Sequence, residues 1–189
     1  MGVPTIKTGP MMVGEFYDFT DTRPDNEKWG LIDGEPILNA SPSRLHQRIL
    51  KSLAFLLTTL ERQRTAWEVL SGLGVRVSDT SRPEPDILII PASGMDLQGR
   101  DRDDVLVAFE IPSASTANRD LRWKRTAYAS MSTLSDYVVI AQDAAEVVVF
   151  SRQNDFAERR FCAADAAAKL QSLGISLPLS EIYRDTGLL

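Results

Sequence analysis

RPEPDILIIPASGMDLQGRDRDDVLVAFEI, residues 82–111, contains two almost uninterrupted apolar runs, Ile87 to Ile90 and Val105 to Ile111. Short runs with so little polar alternation suit central strands of a sheet covered on both faces. Each run carries a carboxylate near one end. Asp86 follows Pro85 and opens the first, and Glu110 sits late in the second. A carboxylate fixed to rigid, buried backbone is expensive unless it is paired or bound to a cation. Two neighbouring carboxylates repel each other, and a divalent ion removes that repulsion while leaving water positions open for chemistry. A plainer arrangement satisfies the same residues: Asp86 capping a turn, and Glu110 paired with a nearby arginine.

Outward from this stretch, Trp67 to Leu70, Val75 to Val77, Tyr137 to Ile140 and Val147 to Phe150 read as further strands, each bounded by turn-forming residues. Ser71 to Gly74 reads as a hairpin turn. Upstream, Trp29, Leu31 and Ile32 are separated from Ile37 and Leu38 by Asp33-Gly34, the strongest short-range signal for a tight hairpin, which places Glu35 just after the turn. Ser41-Pro42 reads as a helix start, with the hydroxyl capping and the proline at the first helical position. The helix runs to about Arg64, with Leu45, Ile49, Leu53, Leu56 and Leu60 in one stripe that Leu50 and Leu57 widen. Ser115, Thr116 and Asn118 offer caps for a second helix ending near Met131. Ala163 to Leu170 has helical propensity, yet its spacing also allows a strand, and Leu179 to Tyr183 suggests a final helical turn. Residues 1–25, with Pro4, Pro10 and Pro24 around Met11 to Phe19, read as an N-terminal arm of one or two helical turns. Residues 26–189 then form a single α/β domain, a mixed central sheet flanked by helices.

Composition bounds the chemistry. With 189 residues, 43% hydrophobic and 25% charged, the chain can bury a core of its own, which excludes disordered, collagenous and repeat classes. One cysteine, Cys162, and one histidine, His46, cannot form an internal disulfide or a four-ligand structural zinc site, so a bound metal would rest mainly on oxygen. The start of the chain lacks the pattern of a signal peptide, and no apolar stretch approaches the roughly 20 residues of a membrane helix, so a soluble, cytoplasmic protein is expected. The net charge of −5 argues against nucleic-acid binding over the whole surface. It leaves room for local basic runs, and two stand out: Arg44, Arg48 and Lys51, and Arg119, Arg122, Lys124 and Arg125. Either run could equally be a solvated helix face.

In order along the chain, LIDGE (31–35), SPSRLHQRI (41–49), RPEPDILII (82–90), FEIPSAST (109–116), Asp120, Lys124 and Tyr128 at four-residue spacing, and DYVVI (136–140) resemble the Uma family of "putative restriction endonucleases". That family belongs to the PD-(D/E)XK nuclease superfamily, and the resemblance extends over about residues 11–185. It implies a restriction-endonuclease-like mixed sheet with a long N-terminal helix and hairpin. It also implies Asp86 and Glu110 as ligands of Mg²⁺ or Mn²⁺, with Glu35 completing the site. The superfamily pattern puts a lysine two residues after the acid, where this chain, like its relatives, departs from it with Pro112. Lys124 on the next helix is the candidate replacement, and an Asp120–Lys124 surface pair is the plain alternative. Relatives usually have a glutamate just before LIDG, and this chain has Gly30.

The implied activity is a divalent-metal-dependent phosphodiesterase, a DNA endonuclease. Lys124 would stabilise transition-state charge, and Arg119, Arg122 and Arg125 would contact phosphate. His46 with Gln47, and Tyr128, are further candidates for contact with substrate, although His46 beside an apolar stripe also suits a buried, hydrogen-bonded position. Gly30, Pro112 and the acidic net charge favour the alternative of a catalytically inactive nuclease-fold module that binds a partner as an oligomer. The width of the helical stripe, Phe55 and Leu57 included, predicts either a homodimer or cover from the N-terminal arm. Trp67 and Trp123 suit core or interface positions as well as base stacking.

Overall fold

The chain runs α1 (Val13–Thr20), β1 (Trp29–Ile32), β2 (Glu35–Leu38), α2 (Arg44–Glu61), β3 (Trp67–Leu70), β4 (Gly74–Val75), β5 (Ile87–Pro91), β6 (Asp101–Arg102), β7 (Val107–Glu110), α3 (Ala117–Ser130), β8 (Asp136–Ile140), β9 (Val147–Ser151), β10 (Glu158–Phe161), β11 (Ala167–Leu170), β12 (Ile175–Pro178) and α4 (Leu179–Ile182). The computed structural model describes residues 9–63, 66–92, 98–113 and 117–189, without the side chains of 117–120. The suggested caps Ser115 and Thr116, the side chains of Asn118, Arg119 and Asp120, and the expected helix end at Arg64 lie outside the described residues.

Six strands form one mixed sheet in the order β10-β9-β8-β7-β5-β3. Within this sheet only β7 and β8 pair in parallel, and α3 makes the crossover between them. The two apolar runs, Ile87 to Ile90 and Val105 to Ile111, supply the interior strands β5 and β7. Strands β8 and β9 are buried along their whole length. Alternate side chains feed two cores. Ile87, Ile89, Val107, Phe109, Val138 and Val149 face α2, the β11–β12 hairpin and α4. Leu88, Ile90, Ala108, Tyr137, Val139 and Phe150 face α3, where Tyr128 is fully buried against Tyr137. Burying one such aliphatic side chain contributes about 1.5–3 kcal/mol, so the two filled faces dominate stability.

The hairpin forms as read. Asp33 and Gly34 both have positive φ, 49° and 81°, the combination a two-residue type I′ turn requires. The long helix starts two residues later than the sequence suggested. Ser43 is the cap, its hydroxyl accepting the His46 N–H at 3.0 Å, and Pro42 stands outside the helix. The wide stripe on α2 is taken up within the chain. Ile49, Leu53 and Leu57 are in the core, and Leu45, Leu50, Leu56 and Leu60 pack on its edge. Phe55 alone of that set stands out in solvent, 72% exposed. The N-terminal helix does not cover α2; Val13 and Phe16 pack on Leu31 of the hairpin instead. Ser71–Gly74 is no hairpin turn, because β3 pairs with β5 while β4 pairs in parallel with β6. A side chain at Gly74 would sit 2.2 Å from the buried Arg82 guanidinium, so glycine is needed for close approach. In the tail, Ala167–Leu170 is a strand: paired with Ile175–Pro178, it lays Ala168 and Leu170 on the core, and this packing outweighs helical propensity.

Candidate functional site

The sheet places the two carboxylates. β5 begins at Ile87, which pairs with Phe109, so Asp86 just before β5 and Glu110 at the end of β7 lie at the same end of the sheet. They line a cavity of about 420 Å³ together with Lys28, Glu84, His46, Gln47 and Lys124. Asp86 Oδ2 accepts the Ile111 N–H at 2.8 Å, which holds the carboxylate against the end of β7. Its Oδ1 lies 3.3 Å from His46 Nε2 and 3.8 Å from Lys28 Nζ, and Lys28 also reaches Glu84 at 3.7 Å. Glu110 accepts from Lys124 Nζ at 2.7 Å.

The surroundings make the pair unequal. Burial pushes the Asp86 carboxyl up, but the His46 hydrogen bond, the Ile111 N–H and Lys28 together outweigh burial and hold it below the usual carboxylate range. Burial also pushes Glu110 up. Lys124 opposes that shift and the Asp86 charge adds to it, leaving Glu110 raised. A carboxylate with a raised folded-state pKa destabilises the fold at pH values above it, and the penalty disappears as pH falls through that pKa. Glu110→Gln keeps the shape and an oxygen for Lys124. It is expected to be at least as stable as the parent at pH 7, with the advantage shrinking towards pH 4, as read by thermal denaturation at both values.

A short polar relay sets this end of the molecule. Ser43 Oγ donates to Gln142 Oε1, and Gln142 Nε2 donates to the carbonyls of Ile111 and Pro112 at 3.1 and 3.0 Å. The cap of α2 is thereby tied to the strand end, so that His46 meets Asp86. His46 is buried, and its Nδ1 has no hydrogen-bond partner among the described residues.

Not every candidate is brought here. Glu35 is exposed on β2 and takes no part in lining the cavity. Tyr128 lies wholly inside the α3-side core. Arg122 and Arg125 line an adjoining cleft, where Arg125 donates to the Phe156 carbonyl and stacks over Phe150. Trp67 is in the core, and Trp123 donates to the Asp33 carboxylate at the hairpin tip. Four cavity residues escaped the sequence reading. Glu84 was legible in principle, two residues before Asp86 and so on the same side of an extended strand. Lys28, Ser43 and Gln142 carried no signal, since only the fold brings them close. Among the described residues, no group of three or more His, Cys, Asp or Glu is arranged to hold a metal ion.

The Uma2 family, described as "Putative restriction endonuclease", matches residues 13–180. The chain belongs to the Uma2 family. This Uma2 chain also superposes on the crystal structure of a "putative nuclease belonging to DUF820" from Anabaena variabilis ATCC 29413, with a TM-score of 0.75 and 17% identity over 92% of this chain and 98% of the other. At that identity the likeness establishes a shared fold. No curated protein matches the Uma2 chain. Among the described residues, no helix is long and apolar enough to cross a membrane.

Proposed function

We propose that this chain is a divalent-metal-dependent phosphodiesterase that cleaves DNA, with Asp86 and Glu110 as the metal ligands. The observation that carries this reading is that Asp86 and Glu110 line one cavity at the same end of the sheet beside Gln47, Asp86 with Lys28 at 3.8 Å and Glu110 with Lys124 at 2.7 Å. The donors are hard oxygens, and two carboxylates with water completing the shell suit Mg²⁺ or Mn²⁺, which commonly use one or two carboxylates. A bound ion would polarise the scissile phosphate and acidify a water.

The chain's own groups do the rest. His46 and the Ile111 N–H fix the orientation of Asp86 and keep it ionised. Lys124, on the opposite wall, neutralises Glu110 and lies within reach of a phosphate oxygen, where an ammonium stabilises the charge of the transition state. Gln47 on the rim is a phosphate contact, and Arg122 on the adjoining cleft is another. Glu84, tethered through Lys28, adds a third negative charge to the cavity.

The second reading, a nuclease-fold module without catalysis, is favoured by a specific observation: Glu110 is paired with Lys124 and Asp86 with Lys28, with a hydrogen bond from His46 to Asp86, so the cluster is satisfied without an ion. Gly30 also lacks the glutamate found in relatives, although a Cβ there would make only ordinary contacts, 3.8–3.9 Å from the Arg82–Glu84 backbone.

Plasmid and single-stranded DNA incubated with Mg²⁺, Mn²⁺ or chelator separate the two readings. Metal-dependent nicking is expected, and intact DNA under all conditions sinks the enzyme reading. Lys124→Ala is expected to lower the rate by about 10²-fold or more and also to lower the melting temperature, because it leaves the buried Glu110 carboxylate without its partner. Full activity in Lys124→Ala would remove the ammonium from the mechanism.

A further inference from the structure

The outward face of α2 carries Arg44, Arg48, Lys51 and Phe55, at spacings of four, three and four residues, all exposed. No acidic residue occurs between Glu35 and Glu61, in a chain whose net charge is −5. Among the described residues, no carboxylate lies within ion-pair distance of the three cations. Arg48 is steadied by the Asp185 carbonyl at 2.6 Å, and neighbouring Glu181 is engaged by Arg184. The first turn of α2 has no acid, and Arg44 opens it, where the helix dipole disfavours a cation. Apart from the Arg48 bond, stability therefore does not account for this placement. Nor does it account for Phe55, a large aromatic that is 72% exposed on the polar side of the helix. The stripe begins at the proposed active cavity, because Gln47 lines both that cavity and the cleft of about 450 Å³ lined by Arg44, Arg48, Lys51 and Phe55 together with Glu181, Arg184 and Asp185.

We propose that this face of α2 is a track for a nucleic-acid strand leaving the cavity, with Arg44, Arg48 and Lys51 on successive phosphates and Phe55 stacking on an unpaired base. The inference rests on the phosphodiesterase reading and adds to it the direction of the strand and a preference for single-stranded character at its end. Cations in line with an aromatic at the far end suit a polyanion with π-faces. A second copy of the chain fits the face poorly, since a two-fold contact here would bring the same cations together. From Arg44 to Phe55 the helix rises about 16 Å at 1.5 Å per residue. Three successive phosphates and one stacked base over that length correspond to about four nucleotides of an extended single strand beyond the cavity.

The test is fluorescence anisotropy of labelled oligonucleotides in chelator, over a range of salt, so that binding is read apart from cleavage. Single strands of about 3 and about 15 nucleotides and a duplex of about 15 base pairs serve as probes. Arg44→Glu/Arg48→Glu/Lys51→Glu is expected to weaken binding of the longer single strand more than 10-fold and to reduce the log–log salt slope by about 2–3. Phe55→Ala is expected to weaken it about 5- to 100-fold with the slope unchanged, and to affect the duplex less. The shortest probe should be insensitive to Phe55→Ala. Unchanged affinity and slope in the triple variant overturn the track. So does failure of the parent protein to bind any probe at low salt, or a doubled mass in light scattering that the triple variant halves. Binding that depends on the stripe in a protein that never nicks DNA would leave the track standing and remove the phosphodiesterase.

Discussion

Asp86→Asn is expected to abolish the proposed metal-dependent DNA cleavage, lowering its rate by roughly 10³-fold or more, while leaving a folded protein. The side chain loses the charge that would hold the ion, yet asparagine can still offer an oxygen to the Ile111 N–H, the bond that fixes the end of β7. Asp86→Ala removes that acceptor as well. It leaves a backbone donor without its partner, which costs about 1–3 kcal/mol in a buried setting. The two variants should therefore be equally inactive and unequally stable. Their pH dependence follows from the carboxylate being held below its ordinary range. Burial opposes that shift, and His46, the Ile111 N–H and Lys28 overcome it. Such a group stabilises the fold above its unfolded pKa, and the contribution is lost as pH falls through the lower folded value. The melting temperature of the parent should exceed that of Asp86→Asn at pH 7 without metal, and the two should converge in the acid range below about pH 4. Wild-type cleavage by Asp86→Asn would remove the carboxylate from the reaction, and a constant gap in stability down to low pH would contradict its ionised role in the fold.

Gly34→Ala is expected to destabilise the protein by roughly 2–4 kcal/mol, the largest effect foreseen for a single methyl group. Gly34 adopts φ +81° at the hairpin tip, and an added Cβ would lie 2.3 Å from Pro10 Cβ and 2.8 Å from the Met11 nitrogen. The obstacle includes backbone, so a side-chain rotation cannot relieve it. The same contact joins the N-terminal helix to the hairpin, through Met11 N–H to the Gly34 carbonyl at 3.0 Å, with Gly34 N–H held by the Thr80 carbonyl at 2.8 Å. Besides a lower melting temperature, the variant should be cleaved faster by protease between residues 9 and 20. Gly72→Ala is the matched control. Its φ is +72° but open space surrounds it, so only the backbone penalty of about 1–2 kcal/mol remains. Equal losses in the two variants would show that the close approach to Pro10 carries no energy of its own.

The sheet was legible because its central strands are buried on both faces and therefore read as unbroken apolar runs. The Asp33-Gly34 turn was legible because its backbone admits few residue types. The edges were not. β10 is ERRF, alternating exposed and half-buried, and it pairs only with β9, so its composition resembles a loop. β11 closes an alanine-rich stretch, residues 163–168, and the hairpin it forms with β12 is held as strands by the core beneath it. At the candidate site, Asp86 and Glu110 stood out in the sequence as carboxylates at the ends of two apolar runs, but their proximity depends on how those strands pair, which local sequence leaves open. Lys124 entered through the spacing of its helix and through the family resemblance. Glu35 was drawn in by its position in the hairpin motif, but parity turns it to the solvent. Gln142 and Lys28 reach the cavity only through strand order and the path of the hairpin, which local sequence does not encode.

The strand order β10-β9-β8-β7-β5-β3 follows the chain without a single transposition, and this bears on how the molecule is made. As synthesis proceeds from the N-terminus, each new sheet strand adds beside the one before it, and none must insert between two already in place. Assembly by neighbour addition keeps loop-closure distances short and favours rapid formation. The two faces mature at different times, however. α3 emerges before β8, so one side is covered early. The opposite side receives α2 early but waits for residues 167–183 to complete its cover. A ribosome stalled after β10 would display a nearly finished sheet with an apolar surface bare around Val147 and Val149. This is the interval in which the nascent chain most needs a chaperone.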